Sequence, residues 1–215
     1  MTLLQQRRVV VTGLGAISNL GHDVSATWDG LLAGHSGVGP ITAFEQDDRW
    51  VTTIAGEVKD WEPADKLDRS EIKKMDRFAQ LGMWAAIEAI SDSGLDWKSG
   101  NAYRRGIVMG SGVGGIQTIE FYANVLRDKG PRRLSPFTVP KLMVNAGAGN
   151  ISIRFNLCGV NASPATACAT GGHALAEAYM FIATNQADFI LFSSQNFKMS
   201  LPTKAKVVII GGGIH

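Results

Sequence analysis

Apolar positions along this chain come in two spacings that alternate. Short runs rich in β-branched residues occur at Arg7–Gly15 (RRVVVTGLG), Arg105–Gly110 (RGIVMG), Val160–Ala167 and Ala187–Ser193, and each reads as a strand buried on both faces. Between them apolar residues recur every three or four positions. Asp68 followed by Glu71 has the pattern of a capping box, and Ile72, Met75, Ala79, Gly82, Ala86 and Ile90 then keep helical spacing up to a stop at Ser93-Gly94, which predicts one long amphipathic helix. Further helices are predicted over Val24–Ala33, Ile116–Arg127, Val144–Leu157 and Ala169–Thr184. The stretch His35–Pro63 reads as irregular apart from a strand-like piece at Val51–Val58, and Ser135–Pro140 is turn-rich. Strands alternating with helices predict an α/β fold, a mostly parallel sheet covered by helices on both faces.

From Gln195 the character changes. Asn196–Lys206 is basic and loop-like, and the last residues (VVIIGGGIH) form a strand-like ending with little to pair with unless it folds back. The chain therefore divides into a domain over 1–194 and a divergent tail over 195–215.

Composition narrows the class. At 215 residues with 45% hydrophobic and 19% charged, one domain with a real core is expected, and a disordered or fibrous chain is excluded. A net charge of +2 is too small to argue for a nucleic-acid or membrane surface. Two cysteines rule out a disulfide framework and a four-cysteine metal site, and they suit a reducing compartment. An opening that enters an apolar run at Val9 leaves no room for a secretory apolar region, so a cytoplasmic protein is expected. Residues 155–176 lack Asp, Glu, Lys and Arg, yet Asn, Ser, Pro, Thr and Gly interrupt them too often for a membrane span.

Two glycine-rich turns invite a dinucleotide reading, since such a turn lays backbone amides against phosphate. VVVTGLGAISNLG fails because Ser18 stands where the third glycine belongs. GSGVGG at Gly110–Gly115 satisfies the spacing, but no acidic residue closes a following strand to hold a ribose. No cofactor and no metal are expected. Cys168 in SPATACATGGHAL is the sharper candidate, because it stands between a strand and a helix predicted to begin within two residues. There the partial positive charge of the helix N-terminus favours a thiolate, and free amides can receive a developing oxyanion. Cys158 has no such context and is expected to be buried and inert. His173, five residues past Cys168, points to another side of the helix and is expected to pack or support rather than act as the base.

Several ordered motifs together resemble the N-terminal half of a β-ketoacyl-acyl-carrier-protein synthase of the type II elongating class, a condensing enzyme with the thiolase fold. They are RRVVVTGLG, WDGLLAGHSG at Trp28–Gly37, IKKMDRFAQ at Ile72–Gln80, GSGVGG, SPFTVPKLMVN at Ser135–Asn145, TACATG at Thr166–Gly171 and Ala187-Asp188. The resemblance implies fatty acid biosynthesis by acyl transfer from acyl carrier protein to Cys168, then decarboxylative condensation with malonyl carrier protein. It implies that Val113 lines the acyl tunnel, that Lys73 and Lys74 contact the acidic carrier protein, and that the enzyme is a homodimer. After Ala187-Asp188 the sequence departs from the family pattern. The half that carries two histidines, a lysine and a gating phenylalanine is expected to be missing, which leaves condensation incomplete and makes a non-catalytic dimer partner of a full-length synthase the alternative.

Overall fold

The computed structural model describes residues 7–194 and the backbone of a strand at 208–211. In chain order the elements are β1 (Leu14–Ala16), α1 (Val24–Leu32), β2 (Gly39–Pro40), β3 (Ile54–Ala55), α2 (Arg69–Lys74), α3 (Arg77–Asp92), β4 (Arg105–Met109), α4 (Ile116–Lys129), α5 (Thr138–Leu142), α6 (Ala146–Phe155), β5 (Asn161–Ala162), α7 (Thr170–Ala183), β6 (Phe189–Ser194) and β7 (Val208–Gly211). Five strands form one sheet in the order β1-β7-β6-β4-β5, with every neighbouring pair parallel, while β2 and β3 make a separate antiparallel ribbon.

Side chains alternate across the sheet as the strand period requires. From β4, Ile107 and Met109 point into a core with Phe78, Met83, Ala86 and Ile151 of α3 and α6. Val108 points the other way, with Ile190 and Phe192 of β6, onto Ala174, Ala178 and Ile182 of α7. The small residues of α7 let this helix lie close to the strands. Gly15 does the same for α3, since a Cβ there would overlap the carbonyl oxygen of Ala85 and sit 2.7 Å from the Ala89 nitrogen.

The structure corrects several sequence boundaries. The long helix expected after Asp68 is two helices: its capping box forms, but Met75 is extended (φ −113°, ψ 141°) and Asp76 caps a new helix by accepting from the Phe78 amide. The strands expected over Val51–Val58 and Val160–Ala167 shrink to Ile54–Ala55 and Asn161–Ala162, and the one expected over Arg7–Gly15 moves to Leu14–Ala16, the residues that pair with a neighbouring strand. The turn-rich Ser135–Pro140 leads into α5. The terminal strand does fold back, since β7 lies between β1 and β6 and pairs with both; the basic segment 196–206 lies outside the described residues.

At one rim of the sheet, the amides of β1 are taken by side chains rather than by another strand. Leu14 N–H donates to Asp92 Oδ2 at 2.8 Å and Ala16 N–H to Glu88 Oε2 at 2.9 Å, while the other Glu88 oxygen caps Val24 at the start of α1. Directly before β6, Asp188 accepts from Arg104 Nε and from Arg7 Nη1, both at 2.8 Å, tying the segment around Arg7 to the start of that strand.

The Arg104 guanidinium, with Arg7 beside it, holds the Asp188 carboxyl down at about 2. A carboxyl depressed on folding contributes stability above its unfolded value near 3.8 and loses it as the pH falls through about 2. Asp188→Asn should therefore lower the urea midpoint at pH 6, by less than about 1 kcal/mol at a site this open to solvent, and the gap to the parent should close between pH 4 and pH 2. Parallel midpoint curves across that window would contradict the ion-pair assignment.

Candidate active site

β4 ends at Met109, and the chain turns through Gly110–Gly115 into α4. On the neighbouring strand, β5 ends at Ala162 and Ser163–Thr166 carries the chain to a short 3-10 turn, Ala167–Ala169, which opens directly into α7. Both turns therefore sit at the carboxyl end of parallel strands, where open α/β sheets leave their crevice. Gly110 brings them into contact, because a Cβ there would collide with Thr170 Cγ2 and sit 2.6 Å from the Pro164 carbonyl oxygen.

Cys168 occupies the middle of the 3-10 turn with its side chain exposed, two residues before α7 begins. No side chain caps that helix: the Thr170 N–H donates to the Ala167 carbonyl and the Ala169 N–H to the Thr166 carbonyl, so the turn itself leads into its N-terminus. The residue before the cysteine, Ala167, has φ 51°, the left-handed region that a Cβ disfavours by roughly 1–2 kcal/mol. Its neighbours hold it there: Thr166 N–H donates to Thr170 Oγ1 at 2.9 Å, and Thr166 Oγ1 lies 2.6 Å from His173 Nδ1. The hydrogen bond of His173 thus goes to the turn, and among the described residues none reaches the sulfur.

Cys168 and Val113 line the same groove, of about 490 Å³, with Asp76, Arg77, Phe78, Ser111, Ile116 and Gln117. Ala167 borders it too, and the glycines at 112 and 114 present only backbone to it. Val113 is 57% exposed there, an apolar side chain facing the opening. Lys73 and Lys74 are exposed in the last turn of α2 just before the Met75 break and do not line the groove. Cys158 is not buried as its sequence setting suggests. It is exposed after α6, with its sulfur 3.2 Å from Asn156 Oδ1 and away from the groove.

Asp76 is the site residue that sequence reasoning missed. It is 5% exposed, and its Oδ2 accepts from Thr118 N–H at 2.9 Å and Thr118 Oγ1 at 2.6 Å, so one carboxylate serves the N-termini of both α3 and α4. The available signal was an Asp directly before Arg-Phe-Ala-Gln-Leu, a cap position concealed inside an unbroken apolar period. Among the described residues no group of three His, Cys, Asp or Glu side chains could hold a metal ion, and no helix is long and apolar enough to cross a membrane.

Residues 6–199 match the model of the beta-ketoacyl synthase N-terminal domain. The chain is 46% identical over 188 residues to the 3-oxoacyl-[acyl-carrier-protein] synthase 2 of Coxiella burnetii and 41% identical over 187 residues to that of Staphylococcus aureus; each match covers 87% of this chain and 45% of the relative. The chain thus spans less than half the length of these curated relatives. Among solved structures, the ishigamide ketosynthase/chain length factor is similar with a TM-score of 0.78 at 27% identity, covering 86% of this chain and 46% of that one. A beta-ketoacyl synthase from Burkholderia phymatum gives 0.73 at 25% identity, covering 84% and 45%. The α/β fold with a parallel sheet is that of these ketosynthases, and with the family model matched over nearly its whole described length, the chain belongs to the β-ketoacyl synthase family.

Proposed function

We propose that this chain carries the acyl-accepting half of a 3-oxoacyl-acyl-carrier-protein synthase of fatty acid biosynthesis, acting in the cytoplasm through residues 1–194. The observation that carries the reading is the exposed Cys168 in a strained turn at a helix N-terminus that no side chain caps, opening on a groove shared with Val113. The Cys168 thiolate attacks the carbonyl of an acyl thioester presented by acyl carrier protein, the partner printed in the curated relatives' name. Amides at the start of α7 receive the oxyanion. The attack makes the new carbon–sulfur bond to Cys168; collapse of the tetrahedral adduct re-forms the carbonyl, breaks the carbon–sulfur bond to the carrier and expels the carrier's thiolate, which takes up a proton. The acyl chain then runs past Val113. Among the described residues no histidine meets the sulfur, so the donors that condensation with a malonyl thioester needs are not among them.

Lys73 and Lys74 attract the acidic carrier protein, because two exposed cations at one helix end raise its local concentration and on-rate. Homodimer formation is supported by Ile116, Phe121, Val139 and Ile153 of α4–α6, which stay exposed, with Ile153 at 83%. β5, at the rim of the sheet, pairs among the described strands only with β4.

Incubating the full chain with an acyl carrier protein thioester should add one acyl mass, read by intact mass spectrometry. Cys168→Ala should abolish the addition, and Val113→Phe should discriminate against longer chains; acylation that persists without Cys168 would end the nucleophile assignment. Joint charge reversal at Lys73 and Lys74 should slow acylation about tenfold at low ionic strength and little at high salt. Light scattering should give twice the 23.0 kDa chain mass, and Ile153→Glu should shift it toward the monomer; a monomeric parent would overturn the homodimer.

A further inference from the structure

The turn that presents Cys168 is fastened from two sides, and acyl transfer as described uses neither fastening. Ala167 holds φ 51°, and a non-glycine residue stays in that region only where its surroundings over-determine it. Thr166 supplies the constraint. Its N–H is bonded to Thr170, which is 3% exposed and packed against Gly110, so that anchor belongs to the core. Its hydroxyl is bonded at 2.6 Å to His173 Nδ1, one turn further along α7 and exposed to solvent. Between these two anchors lies the 3-10 turn with Cys168 at its centre.

We infer that His173 is a positioning residue that acts through Thr166 to hold the Cys168 sulfur over the first turn of α7, an inference that rests on the nucleophile reading of Cys168. A threonine hydroxyl both donates and accepts, so the bond forms whether Nδ1 carries a proton or not, and its contribution is geometric rather than one of charge. The other charged groups bordering the groove are engaged elsewhere: Asp76 with Phe78 and Thr118, Arg77 with the Val58 carbonyl and the face of Trp61. With the His173 bond cut, Ala167 is free to relax out of the left-handed region. The sulfur then swings away from the first turn of α7.

Alkylation of the full chain by iodoacetamide across pH 6–10, resolved by peptide mass spectrometry, tests this with Cys158 as internal reference. His173→Leu and Thr166→Val should each move the Cys168 profile to higher pH and slow its alkylation at pH 7 about fivefold. The double variant should go no further, and Cys158 should not respond. His173→Asn, whose side-chain amide reaches the Nδ1 position, should restore the parent profile. A shift with His173→Leu but not with Thr166→Val would mean that an imidazolium charge was lost rather than a bond, and would overturn the inference, as would no shift in either. If Cys158 changes in step, marking a fold defect, Thr166→Ser decides: the parent profile supports the latch and a lost one refutes it. Alkylation needs no carrier protein, so a chain that shows the latch yet takes no acyl group would sink the acyl-transfer reading and leave this one standing.

Discussion

One buried carboxylate sets the geometry on which the groove depends. Asp76 ends the extended residue Met75, caps α3 and reaches across to the first turn of α4, so two helix N-termini converge on a single negative charge. Because both helices start at that charge, the loop leading into α4, with Val113, is fixed against the wall formed by Asp76, Arg77 and Phe78. A longer unbroken helix would have carried Phe78 on another heading and left Thr118 without its acceptor. The groove owes its shape to an interruption.

The second half of the site is built by close approach. Gly110 admits Thr170 and the Pro164 carbonyl, which draws the turn after β5 against the turn after β4, and the small residues of α7 let that helix settle on Val108, Ile190 and Phe192. The sulfur's exposure and the depth of the core beneath it are thus parts of the same arrangement. A rigid parallel sheet positions two loops at its carboxyl ends, and the reactive group stands on the loop while the strands supply the precision.

Much of this was legible in the sequence because the signals were local. The Asp68–Glu71 capping box, the apolar runs of β4 and β6 and the abrupt change from turn to helix after Cys168 all act within a few residues. What escaped was decided at long range. Met75 keeps the helical period of its neighbours, and the break at Asp76 brings its carboxylate to Thr118, 42 positions away. The lengths of β1, β3 and β5 depend on partner strands that no local pattern names. Cys158 illustrates the reverse error: a general preference of cysteine for burial gave way to a position just past the left-handed residue Asn156, where α6 ends and the chain turns at the surface.

The carboxylates of Asp92 and Glu88 on the β1 amides bear on assembly as well as on folding. With Leu14 and Ala16 N–H already bonded to acids, the β1 rim of the described sheet offers those two donors to no further strand. An edge whose donors are occupied is a poor template for edge-to-edge stacking, so the two side chains that tie β1 to α3 also guard it against open-ended association.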